Sequence, residues 1–275
     1  MVTIRLPALI ALLLLISACS LLPEQADETK GWSASKFYSE ASAAMSDGDY
    51  ETAIKYYEGL EAKFPFGRYA MQAQLDVAYA YYKNGDQEQA IAAADRFIKL
   101  HPTHPYVDYA FYMKGIVNFN RNMGLFDRFL PIDSSQRDSS AAMDSFNDFS
   151  ELIRRYPQSK YSADARKRLV FLRNNIASHQ VHAARYYMKR GAYLAAVNRC
   201  KKVVENYQRT PAVKEALEIM IDAYNKLGLE KLSADTKRVL AMNESKGYFK
   251  ETEQRDLEED PIVRKVWDYI GLDKN

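Results

Sequence analysis

Apolar and polar positions divide the chain into three regimes. Residues 6–16 are unbroken apolar sequence, preceded by Arg5 and followed by Ser17, Ala18 and Cys19. From about residue 33 to 243 few stretches alternate with period two, and glycine and proline are scarce. Such a pattern predicts α-helices rather than strands. Beyond residue 243 the charged run ESKGYFKETEQRDLEED leads into PIVRKVWDYIGL, where Ile262, Val266 and Ile270 recur every four residues beside Val263 and Trp267. With Pro261 suited to a first turn, residues 261–272 read as a short amphipathic helix that must be covered by another surface.

The helical region repeats itself. Gly48 and Gly85 lie 37 residues apart, as do Ala53 and Ala90, Pro65 and Pro102, and Gly191 and Gly228. Each unit reads helix, glycine turn, helix, then a proline that cannot continue the helix. The unit resembles the tetratricopeptide repeat, a 34-residue helix pair, with three residues added to its linker. Ala41, Ala78, Gly115 and Ala184 fit the small position of the first helix that lets the second approach. Ala53, Ala90 and Ala196 are their counterparts in the second helix, with Tyr57, Phe149 and Cys200 one turn later. Cys200 therefore reads as a core residue.

Two longer intervals break the period. The first excess, residues 122–139, falls between the helices of the third pair. As a loop it would expose Leu125, Phe126, Phe129 and Leu130; the favoured alternative is that it folds back over the repeats, with Asp133 or Asp138 capping the next helix. The second falls in residues 160–190, which contain neither glycine nor proline and predict one helix near 45 Å long at about 1.5 Å per residue. The fold expected is an all-α solenoid of five pairs, at 33–65, 70–102, 106–157, 160–210 and 213–242. First helices line the concave wall of such a solenoid. In the usual register that wall shows Tyr38, Ser42, Met45, Gln72, Leu75, Tyr79, Tyr82 and Lys83, then Arg185 and Met188. Tyrosines offer stacking area and a hydroxyl, which suits capture of a peptide.

The apolar run near the start is too short to span a bilayer, which takes roughly 20 residues, so residues 1–18 read as a secretory signal. Its end resembles a bacterial lipobox. That resemblance implies cleavage before Cys19, acylation of Cys19, and a lipid-anchored linker over residues 19–32. Each buried methylene contributes about 0.8 kcal/mol, so three acyl chains make a lasting anchor. Ser20 follows where an Asp tends to retain such proteins in the inner membrane, and so favours the outer one.

Charge changes the picture little. Loss of the signal removes only Arg5 from 38 basic residues, against 36 acidic. No basic surplus marks a nucleic-acid surface. The 20 tyrosines are the conspicuous bias.

Taken in order, FPFGRYAMQAQLDVAYAYYKNGD, LHPTHPYVDYAFYMKG, the insertion DRFLPIDSSQRD, RYPQSKYSADARKRLVFL and RGAYLAAVNR resemble the BamD (ComL) family over about residues 33–242. These are outer-membrane lipoproteins of the β-barrel assembly machine. The resemblance implies a lipid-anchored scaffold on the periplasmic face of the outer membrane. Its C-terminal repeats would hold a BamA-like barrel subunit beside other Bam lipoproteins, and its N-terminal repeats would bind signals of unfolded barrel proteins. By match to the family's VVNR, Arg199 is the expected partner-binding residue, placed on an exposed flank where a guanidinium can grip a carboxylate.

Chemical motifs are lacking. There is no GxSxG, HExxH or P-loop. His101 and His104 sit in the turn HPTHP, and His179 and His182 share a helix face without thiol or acidic companions, a poor donor set for a metal. No catalysis, cofactor, metal or nucleic acid is expected. The competing reading is a lipoprotein adaptor that tethers cell-wall enzymes.

Overall fold

The computed structural model describes residues 28–121 and 139–249. These form ten α-helices and no strands: α1 Ala34–Asp47, α2 Tyr50–Lys63, α3 Arg68–Asn84, α4 Gln87–Leu100, α5 Val107–Asn120, α6 Ser140–Arg155, α7 Ser162–Lys189, α8 Tyr193–Asn206, α9 Ala212–Lys226 and α10 Glu230–Ser245. Each helix packs on the next, and first helices of successive pairs also meet, α1 on α3, α3 on α5 and α7 on α9. The chain is an all-α solenoid.

Local chemistry sets the helix ends. The Ser33 hydroxyl accepts from the Lys36 amide at 3.2 Å, and the Asp49 carboxylate from the Thr52 amide at 3.1 Å. Both satisfy amides that have no partner within their helix. Gly85 closes α3 at φ +91°, a backbone state that side chains with a Cβ rarely adopt.

Small residues bring the helices together. Ala41, Ala78, Ala184, Ala53, Ala90 and Ala196 are all buried, and Tyr57, Phe149 and Cys200 fill the space beside them. Ser145 holds the corresponding small position in α6 and donates to the Gly115 carbonyl at 2.9 Å. Burial pushes the Cys200 thiol up to about 12, so it remains a neutral apolar filler.

The core forms successive clusters. One centres on Phe37, Tyr57 and Leu60, the next on Phe97, Phe149 and Leu152, and a third on Cys200, Val203 and Ala216. The 28-residue α7, about 42 Å long, joins the last two. Ala165 and Leu172 from its first half enter one cluster, and Ala177, Val181 and Ala184 from its second half enter the other. Cys19, residues 122–138 of the insertion and the helix expected at 261–272 lie outside the described residues.

Candidate functional site

The wall formed by α1, α3, α5 and the first half of α7 carries a network of tyrosines and carboxylates. Tyr38 on α1 donates its hydroxyl to Asp76 Oδ2 on α3 at 2.9 Å, and Gln72 Nε2 donates to Asp76 Oδ1 at 2.9 Å. Tyr79 and Tyr82 follow on α3 with ring centroids 6.3 Å apart, and Asn120 on α5 donates to the Tyr82 hydroxyl. On α5, Tyr112 donates to Asp164 Oδ2 of α7 at 2.8 Å and stacks on Tyr161 at 4.8 Å. Arg168 Nε also donates to Asp164 Oδ2, at 2.6 Å, while its guanidinium lies 4.8 Å from the centre of the Phe119 ring. The Tyr38–Asp76, Asn120–Tyr82 and Tyr112–Asp164 bonds join residues 38 to 52 positions apart, so the wall is a tertiary feature.

Electrostatics follow from burial. Desolvation raises the Asp76 carboxyl above its ordinary value, opposed by the bonds from Gln72 and Tyr38. Tyr38 is raised by its own burial and then by the Asp76 charge, so its hydroxyl stays a donor. Because Asp76 binds its proton more tightly folded than unfolded, its contribution to stability is fully present below its unfolded value near 3.8. It is lost as pH rises through the folded value. The wild type should therefore gain stability relative to Asp76→Asn as pH falls from neutrality towards 3.8. Urea midpoints of the two proteins check this; a gap independent of pH removes the claim.

The residues expected on the wall divide. Tyr79 is exposed there, and Tyr38 and Tyr82 are half-buried with their hydroxyls bonded. Met45 is half-buried against the first core cluster. Lys83 is exposed at the end of α3, 5.7 Å from the centre of the Tyr50 ring. Leu75 is a correction: it is 3% exposed and packs in the core with Phe97 and Val107. The wall-facing stripe of α3 runs through Gln72, Asp76, Tyr79 and Lys83, and Leu75 lies about 70° round the helix from its centre line. Ser42 is half-buried, Arg185 pairs with Glu215 across α7 and α9, and Met188 packs against the third cluster.

Arg199 does not stand on an open flank. It is half-buried, donates Nη1 to Gln180 Oε1 at 3.0 Å, and holds its guanidinium 5.9 Å from the Tyr187 ring centre. Both partners are on α7, towards which this face of α8 turns. Sequence reasoning missed Asp76, Asp164 and Arg168. For Asp76 the available signal was a lone charge in an otherwise uncharged run, AQLDVAYA.

His101 Nε2 lies 2.7 Å from Gln74 Oε1 and its ring packs on Phe97, so the HPTHP turn is structural. Among the described residues no group of three His, Cys, Asp or Glu side chains could hold a metal ion.

The family model for YfiO, described as outer membrane lipoprotein, matches residues 31–240, which is nearly the whole solenoid. The outer membrane protein assembly factor BamD of Neisseria meningitidis serogroup A is 44% identical over 243 residues, 87% of this chain and 91% of its own. The chain belongs to the BamD family. The BamD of Vibrio cholerae is 37% identical, covering 86% of this chain and 97% of its own, and that of Haemophilus influenzae is 32% identical, covering 88% and 91%. Among solved structures, the MamA protein overlaps 82% of this chain at 16% identity and a TM-score of 0.33, too distant a likeness to build on. The family match over residues 31–240 takes in nine helices and most of the tenth, so the wall and the Arg199 contact both lie within family sequence.

Proposed function

We propose that this chain is a non-catalytic adaptor in outer-membrane protein assembly, anchored through acylated Cys19 on the periplasmic face. The observation that carries the reading is the wall of α1, α3, α5 and α7, read beside relatives named outer membrane protein assembly factor BamD. Its polar groups are bonded mostly to one another, so the wall offers stacking surface and hydroxyls rather than a reactive group. That chemistry suits extended segments of many sequences. Tyr38, Met45, Tyr79, Tyr82 and Lys83 would meet the segment, and Leu75 would support the wall from behind.

The C-terminal repeats would hold a BamA-like barrel subunit. There α7 and α9 flank a cleft of about 430 Å³ lined by Ser178, Val181, His182, Arg185, Pro211, Ala212 and Glu215. Arg199 would join that contact by exchanging the Gln180 amide for a carboxylate, a stronger acceptor for a guanidinium. The rigid α7 would keep the two partners at a set separation.

The test is capture from solubilised envelopes using full-length chain with a photoreactive residue at Tyr79, compared with Ala92 on the outer helix α4. The reading expects unfolded barrel proteins crosslinked from position 79 but not from 92. It also expects co-purification of a barrel subunit with periplasmic domains, weakened by Arg199→Glu. Recovery of cell-wall enzymes without that subunit would replace this function with the tethering one.

A further inference from the structure

The order of the helices sorts the loops onto two edges. Each pair runs out along its first helix and returns along its second. Turns within pairs, at 48–49, 85–86, 190–192 and 227–229, therefore share one edge. Segments between pairs, at 64–67, 101–106, 156–161 and 207–211, share the other. The N-terminal segment joins at this second, loop edge. Lys63 Nζ at the end of α2 donates to the Thr29 hydroxyl at 2.7 Å, and Trp32 packs on Phe37 and Tyr56.

The two edges differ in chemistry. The segments between pairs read FPFG, HPTHPY, YPQSKY and YQRTP, without one Asp or Glu. The first two turns within pairs lie in SDGD and NGD. Beside the point where the chain enters, the loop edge presents apolar side chains to water: Phe66 is 90% exposed, Leu100 55% and Tyr106 52%. Lys30, Arg68 and Lys99 are exposed among them and form no ion pair with the described residues. Aromatic side chains interleaved with basic ones are the composition that settles at a membrane–water interface. Each Lys or Arg close to an anionic leaflet raises partitioning roughly fivefold.

We propose that the loop edge of the first two repeats rests on the bilayer, with Phe66, Leu100 and Tyr106 in the interfacial layer and Lys30, Arg68 and Lys99 on anionic phospholipid headgroups. The occupant is a lipid surface because the segment leading to the anchor arrives at this same edge, and the charge complements anionic lipid. Nine residues from an acylated Cys19 reach Glu28, at most about 30 Å of chain, so this edge is the part of the solenoid held nearest the bilayer. The acidic turns of the first two repeats, SDGD and NGD, then point away from the membrane. The orientation goes beyond the adaptor function and does not depend on what the wall binds.

The test uses full-length lipidated chain in phosphatidylethanolamine–phosphatidylglycerol vesicles, with a nitroxide label at Phe66→Cys, Tyr106→Cys or Asp47→Cys. Cys200 is fully buried and stays unlabelled. Labels at 66 and 106 should be reached by oxygen in preference to a water-soluble nickel complex, and the label at 47 should show the reverse. Phosphatidylcholine vesicles, or Arg68→Glu combined with Lys99→Glu, should return position 66 towards the aqueous pattern. Equal nickel access at all three positions overturns the proposal. So does shielding at 66 that arises only when a partner protein is added, which would make the edge a protein interface. Immersion unchanged by either charge manipulation overturns the headgroup contacts.

Discussion

Gly115→Ala should destabilise the protein by about 2 kcal/mol, the reverse of the usual result for this change in a helix. A Cβ built on Gly115 would lie 2.4 Å from Phe149 Cε1, 2.6 Å from Cδ1 and 2.8 Å from Cζ. The Phe149 ring is fully buried and backed by Tyr112, with centroids 5.9 Å apart, so it has no free space to enter. Overpacking of this kind costs typically about 1–3 kcal/mol, and a clash with three ring atoms belongs near the top of that range. Better helix propensity returns about 1 kcal/mol. For a chain of this size the loss corresponds to a Tm lower by roughly 4–8 °C. Urea unfolding of Gly115→Ala, alone and with Phe149→Leu, checks the mechanism. The second change should recover part of the loss by removing the clashing atoms. A single variant more stable than wild type would show that α5 and α6 separate freely at this contact.

The second large effect concerns Arg168. Its side chain is almost wholly buried, Nε is held by Asp164, and Nη1 has no hydrogen-bond partner. Asp164→Ala removes the nearest counter-charge and the acceptor for Tyr112 in one step. Breaking a buried pair by deleting one partner costs about 3–5 kcal/mol. Asp164 is partly exposed, which places the expected loss near 3 kcal/mol. Asp164→Ala with Arg168→Met should be markedly more stable than Asp164→Ala alone, because the uncompensated guanidinium is gone and an apolar side chain meets Phe119. A double variant no more stable than the single one would mean that water already solvates the arginine. Both changes also loosen the join between α5 and α7, so crosslinking from Tyr79 should be repeated in the double variant.

The two predictions differ in how far they could be foreseen. Gly115 stood out in the sequence, since its register placed it with Ala41, Ala78 and Ala184 as a close-approach position. Arg168 did not, because a charge within a helix gives no sign of which neighbour will bury it. Leu75 and Arg199 show the same limit. One helical position is about 100° of rotation, so a register assigned from the repeat pattern cannot separate the exposed stripe of α3 from the buried one beside it. For Arg199, proximity to the inward Cys200 suggests a flank, whereas the packing of α8 on α7 supplies Gln180 and Tyr187 as partners.

The sequence by itself determined the all-helical class, the spacing of the helix pairs, the long helix, the buried Cys200 and the family. Each rests on local information, namely helix breakers at a fixed period, small residues in register and ordered motifs. Only the tertiary structure decided which stripe of α3 forms the wall, that Tyr38 meets Asp76, that Tyr112 and Arg168 share Asp164, and that Phe66 and Tyr106 share an edge with the N-terminal segment. Those pairings join residues far apart in the chain, and they depend on the angle and distance at which successive helices pack.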